Sequence, residues 1–142
     1  MLDHIVKSTS DYLADMPKST RKKKGQFFTS IETARFMAGM FDLSLLKEEI
    51  LILDPGSGTG ILSAALIERI SMEADVQKIN LTCYETDPEV LPILKNNLGY
   101  LVENSRITII YEIIEEDYIL TQADDFRAEK YHSFLYIGRF MN

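Results

Sequence analysis

The segment Asp54-Pro55-Gly56-Ser57-Gly58-Thr59-Gly60 constrains this chain most. It follows directly on the apolar run Ile50–Leu53 and leads into a stretch with apolar residues at Ile61, Leu62, Ala65, Leu66 and Ile70. A short apolar run bounded by turn residues reads as a buried strand, and the spacing after it marks one face of a helix. Glycines in such a strand-to-helix turn let a ligand approach the backbone, and in sheets of this kind ligands bind at the carboxyl ends of the strands.

The alternation continues down the chain. Ile79–Tyr84 is a second strand, Ile107–Tyr111 a third and Lys130–Ile137 a fourth. Between the second and third, Val90, Leu91, Leu94 and Leu98 mark a helix that Asp87 is expected to cap, with Pro88 at its first position and Pro92 kinking it. Strands separated by helices of this length imply right-handed crossovers and a parallel sheet. The expected fold is therefore α/β, an open, doubly wound, mostly parallel sheet of Rossmann-like type.

Ahead of the sheet, Leu2, Ile5, Val6, Leu13 and Met16 outline an amphipathic helix ended by Pro17, followed by a polar, basic link, Lys18–Gly25. Thr29 and Glu32 have capping-box spacing, and Ile31, Ala34, Met37, Met40 and Phe41 then mark one face of a second helix. The chain divides into an N-terminal helix and link over 1–24 and one ligand-binding domain over 25–142. At 142 residues, one hydrophobic core is expected. A content of 46% hydrophobic and 26% charged residues excludes a disordered or collagen-like chain. No apolar run approaches the roughly 20 residues that cross a bilayer, and the first residues lack a secretory h-region, so a cytoplasmic protein without a membrane partner is expected.

Chemistry-bearing residues are few outside the turn. Cys83 stands alone and mid-strand, which reads as a small core residue in a reducing compartment. His4 and His132 have no partner at metal-ligand spacing, so no metal site is expected, and no Ser-His-Asp or Cys-His set can be assembled. Net charge is −7, yet residues 1–35 carry seven basic side chains against four acidic ones. The run Arg21–Lys24 is the densest part, a strip able to meet phosphates locally because screening confines each field to about 8–10 Å.

Which ligand suits the turn follows from its spacing. A dinucleotide fingerprint needs a third glycine where Ile61 stands, and a phosphate-gripping loop needs Gly-Lys-Ser/Thr, which is absent. Asp54 at the strand end repels a pyrophosphate and suits an ammonium group. Glu85, closing the second strand, is placed to accept both hydroxyls of a ribose. Asp117, after the third strand, would accept from the exocyclic amine of a base, with Tyr118 or Ile119 against the ring. Together these acids and the turn glycines Gly56, Gly58 and Gly60 favour a nucleoside carrying a cation.

Four motifs in order, Gly25-Gln26-Phe27-Phe28-Thr29-Ser30, Asp54-Pro55-Gly56-Ser57-Gly58-Thr59-Gly60, Tyr84-Glu85-Thr86-Asp87-Pro88 and Glu116-Asp117-Tyr118, make the chain resemble the N-terminal part of N6-adenine DNA methyltransferases of restriction–modification systems. The resemblance is to the Eco57I-like and type I modification-subunit group, and it covers roughly residues 18–137. It implies a class I S-adenosylmethionine-dependent fold and S-adenosylmethionine as cofactor. Gln26, Phe27, Phe28 and Thr29 would close over its methionine part, Asp54 with the backbone at Gly56 and Gly58 would hold its amino acid moiety, Glu85 the ribose and Asp117 the adenine amine. DNA would be the partner of the complete enzyme.

The sequence departs from that family in one respect. The family's catalytic Asn-Pro-Pro-aromatic segment, which holds and stacks the flipped target base, does not occur: no proline follows Pro92. No catalytic residue is therefore assigned, and the chain is expected to be an N-terminal portion, inactive alone, that lacks a C-terminal part or a partner subunit. Two other functions are weighed beside this one: a methyltransferase for a small molecule or protein, and a non-enzymatic remnant or partner subunit. Recognition sequence, oligomeric state and any attached nuclease leave no trace in the sequence.

Overall fold

Alternating apolar runs and helical stripes fold into the expected α/β sheet. A computed structural model describes residues 1–17, 19, 28–122 and 134–136, the last three as backbone. Element order is α1 (Leu2–Ala14), α2 (Ile31–Gly39), β1 (Glu49–Asp54), α3 (Ile61–Glu73), β2 (Lys78–Tyr84), α4 (Leu91–Asn104), β3 (Thr108–Ile114), α5 (Tyr118–Gln122) and β4 (Phe134–Tyr136). The four strands lie in the order β3-β2-β1-β4, and each neighbouring pair is parallel. Two successive crossovers carry the chain from β1 to β3, and β4 then returns to the other side of β1. The strand order thus reverses beside β1, the switch point at which open α/β sheets bind ligands. The glycine turn begins there.

Period-2 alternation decides what each side of the sheet meets. Ile50, Ile52, Ile79, Leu81, Cys83 and Ile109 point into one large core, filled from α3 by Leu66, Ile67 and Ile70 and from α4 by Leu94, Leu98 and Leu101. Leu2 and Ile5 of α1 are buried in the same core, so the N-terminal helix is part of this body. Leu53 and Tyr84 point the other way and form a small second cluster with Tyr118 of α5. The Tyr84 and Tyr118 rings meet edge to face at 5.0 Å. Cys83 is buried mid-strand, and burial pushes its thiol far up from the usual range.

Two arginines close helix ends. Arg69 donates to the Ala38 and Phe41 carbonyls at 2.7 Å each, holding the end of α2. Arg106 donates to Ser71 O, Ala74 O and Val76 O, bridging the end of α3 and the entry to β2. Cationic donors on orphan carbonyls suit the negative end of the helix dipole.

Several local expectations are corrected. Ser30, not Thr29, caps α2, accepting from the Thr33 N–H, so the Thr29–Glu32 capping box does not form. Met40 is 65% exposed and falls off the expected face, whose other members Ala34, Ile31, Met37 and Phe41 meet the core together with Ala38. Asp87 caps only a turn, its Oδ1 accepting from the Glu89 N–H, and α4 starts later, at Leu91. Pro92 thereby falls in the first helical turn, where its missing N–H has no intrahelical partner to lose, so the expected kink has no cause. The expected first helix ends at Ala14, two residues before Met16. Gln26, Phe27, the Arg21–Lys24 strip and His132 lie outside the described residues.

Candidate functional site

The turn after β1 has its shape because two residues take conformations that side chains resist. Gly58 has φ 55° and Gly60 φ 90°. A Cβ on Gly60 would come within 3.3 Å of Leu94, and one on Gly58 within 3.6 Å of the Phe28 ring. Backbone bonds then tie the turn to its surroundings: the Ser57 N–H donates to Tyr84 O at the end of β2, and the Gly60 N–H to Ser57 O. A pocket opens on it, lined by Phe28, Thr29, Gly56, Ser57, Gly58, Thr59, Ile61 and Leu62. Phe28 and Thr29 are thus brought to the turn from a segment distant in sequence.

The three acids sit at three strand ends but in different states. Asp54 is fully buried, and its Oδ2 accepts from the Ser63 hydroxyl at 2.7 Å. Its Oδ1 has no hydrogen-bond partner among the described residues. Burial pushes the Asp54 carboxyl up to about 6, tempered by Ser63 and by the neighbouring Gly56 and Ser57, with the Glu85 charge adding to the rise. Glu85 lies across the turn: Oε1 accepts from the Gly58 N–H at 2.8 Å, and Oε2 from the Thr86 and Asp87 N–H groups at 2.9 Å each. A carboxylate has about four acceptor positions, so three bonds leave capacity on Oε1. Asp117 is exposed and caps α5, Oδ1 accepting from the Leu120 N–H at 3.1 Å.

Two expectations change on this geometry. Asp54 is not open at the strand end but fully buried, bonded to Ser63 and underpinning the turn and the start of α3 from below. Tyr118 is 2% exposed and belongs to the second core cluster, while Ile119, its neighbour, is 54% exposed and is the apolar side chain open to a ring. Gly60 stands at the N-cap of α3 in a left-handed conformation.

Residues that the motif reading missed hold the turn in place. Ser63 bonds Asp54, Asn97 donates to Thr59 O at 2.8 Å, and the Thr9 and Thr59 hydroxyls bond at 2.6 Å. Ser63, Asn97 and Thr9 are polar residues at buried helix positions, a pattern readable as an interruption of an apolar stripe. No cluster of metal-ligating side chains occurs among the described residues, and no helix there is long and apolar enough to cross a membrane.

The turn, its position at the switch point and the flanking acids invite comparison with known proteins. The chain is 28% identical, over 123 residues, to the type II methyltransferase M.PstI of Providencia stuartii. The match takes in 82% of this chain and 23% of that enzyme, so the chain spans about a quarter of its relative's length. No protein-family profile matches. A methyltransferase relative and a parallel sheet of this order agree with the Rossmann-like fold expected from the sequence.

Proposed function

We propose that this chain is the S-adenosylmethionine-binding portion of a DNA adenine-N6 methyltransferase of a restriction–modification system. The observation that carries the reading is a glycine turn flanked by two carboxylates, Asp54 and Glu85, neither of which pairs with a Lys or Arg among the described residues. Such a site repels phosphates and suits a nucleoside with a positive charge. The methyltransferase relative supports the same class. The motif order Phe28-Thr29, Asp54–Gly60, Glu85 and Asp117 supports the adenine-specific group within it.

The residues present fit the cofactor. The left-handed glycines Gly58 and Gly60 keep the turn's backbone free of side chains, and the orphaned, buried Asp54 Oδ1 gives a negative centre beneath the turn for an ammonium group. The spare capacity of Glu85 Oε1 suits a ribose hydroxyl, and Asp117 with Ile119 suits an adenine. Phe28 and Thr29, on the pocket wall, would cover the methionine part. When bound, S-adenosylmethionine supplies a methyl group on a positively charged sulfur. The chain's own residues bind and orient it, and an Asn-Pro-Pro-aromatic segment to position a target amine does not occur in the sequence.

Two measurements test this reading. Thermal melting with S-adenosylmethionine should rise in proportion to the logarithm of its concentration and stay flat with NAD or ATP. An assay following labelled methyl into adenine-containing DNA should remain at background for these 142 residues alone. Stabilisation by NAD or ATP and not by S-adenosylmethionine would move the site to another ligand class.

A further inference from the structure

Thr59 stands between the two left-handed glycines of the turn and is 1% exposed. Both ends of this residue are held by helices rather than by the sheet. Its hydroxyl meets Thr9 of α1 at 2.6 Å. The Thr9 hydroxyl already donates to Ile5 O at 2.9 Å, so its oxygen is the acceptor and Thr59 is the donor. On the other side, the Asn97 side-chain amide of α4 donates to Thr59 O at 2.8 Å. All three side chains are buried. The two helices are also joined directly, His4 stacking on Tyr100 at 3.7 Å with planes 6° apart.

We infer that Thr9 and Asn97 are positioning residues for the glycine turn: acting through Thr59, they fix the backbone that faces the ligand, so that docking of α1 sets the affinity of the site. The inference rests on the proposed cofactor site and adds residues from outside its motifs. Conformationally permissive glycines flank Thr59 on both sides. Gly58 and Gly60 impose no rotameric restraint of their own, so the placement of the peptide between them depends on what grips Thr59. A buried hydroxyl that loses its acceptor is costly, which makes the Thr59–Thr9 bond a strong constraint and not a decorative one. Burial alone would be served equally by Val at position 9; a hydroxyl there directs Thr59.

The test compares the parent chain with Thr9→Val, Thr9→Ser and Thr59→Val. Hydrogen exchange is followed in residues 56–62 and in β2 and β3, and S-adenosylmethionine binding is followed by calorimetry. Thr9→Val should speed exchange in 56–62 about tenfold while leaving β2 and β3 unchanged, and weaken S-adenosylmethionine about fivefold. Thr9→Ser, which keeps the hydroxyl, should restore both. Thr59→Val removes the same bond but leaves Thr9 bonded to Ile5, and it should reproduce the local acceleration even if Thr9→Val fails to fold. Unchanged exchange in 56–62, acceleration spread evenly over the sheet, or no rescue by serine would each overturn the inference. A parent chain that takes up no S-adenosylmethionine overturns the proposed cofactor instead, and the exchange arm still decides whether the turn is braced.

Discussion

The end of β1 and the end of β3 each deliver an aspartate toward the same edge of the sheet, but the fold treats the two differently. At the end of β1 the chain turns back into the core: Asp54 is fully buried, bonded to Ser63, and its carboxyl is pushed up to about 6. At the end of β3 the chain stays at the surface, and among the described residues Asp117 caps the short helix α5. The sheet order explains the contrast. β1 is an inner strand beside the switch point and β3 an edge, so a side chain leaving β1 meets helices and one leaving β3 meets water. The first acid underpins the glycine turn, and the second stays open to solvent.

The largest expected consequence of this contrast is in the dependence of stability on pH. Asp54 binds its proton more tightly folded than unfolded, with a carboxyl at about 6 against 3.8. The native state therefore holds the excess proton between these values, and stability falls as pH rises from about 4 to about 6, then levels. A difference of two units corresponds to about 3 kcal/mol. Urea unfolding of Asp54→Asn against the parent should show the variant gaining about that much between pH 4 and pH 7. The lowered carboxyls of Asp42 and Glu49 act with opposite sign in both proteins and cancel. A difference that does not change with pH would place Asp54 in solvent and erase the contrast with Asp117.

Next in size is the turn that Asp54 supports. Gly60→Ala forces a side chain into φ 90° and against Leu94, and should cost about 2 kcal/mol in the same unfolding experiment. Gly58→Ala, with φ 55° and only the Phe28 ring at 3.6 Å, should cost about 1 kcal/mol. Equal costs would mean that the helix layer does not shape the turn. The smallest effect belongs to the exposed end. Asp117→Ala should leave the melting temperature of the parent almost unchanged and lower S-adenosylmethionine affinity only about threefold, less than 1 kcal/mol.

How far the site was legible in the sequence follows the same division. The unbroken apolar run Ile50–Leu53 located β1, whose two faces are largely covered, and the alternation of Ile79, Leu81 and Cys83 with Asn80 and Thr82 located β2, whose apolar face is the buried one. The glycine spacing located the turn, since left-handed backbone at Gly58 and Gly60 has one cheap residue type. Motif spacing cannot tell an open acid from a buried one, which is why Asp54 was read like Glu85 and Asp117 and yet is fully buried. Tyr118 misled for the same reason: an aromatic beside an acid suits stacking on a base equally well as packing on Tyr84. Helix starts were displaced where several capping residues compete, as at Thr29 with Ser30. The bracing residues Thr9, Ser63 and Asn97 were visible only as polar interruptions of apolar stripes, and their partners lie 50, 9 and 38 positions away.

Under the proposed function, the turn between β1 and α3, together with Glu85, holds S-adenosylmethionine. Calorimetric titration of S-adenosylmethionine into the parent chain and into Glu85→Ala tests it most directly. The account expects saturable one-site binding by the parent and at least a tenfold, about 1.4 kcal/mol, loss in the variant, because hydrogen bonds to a charged acceptor are worth about 1.5–3 kcal/mol each. No heat of binding with the parent chain, or equal affinity in Glu85→Ala, would contradict it.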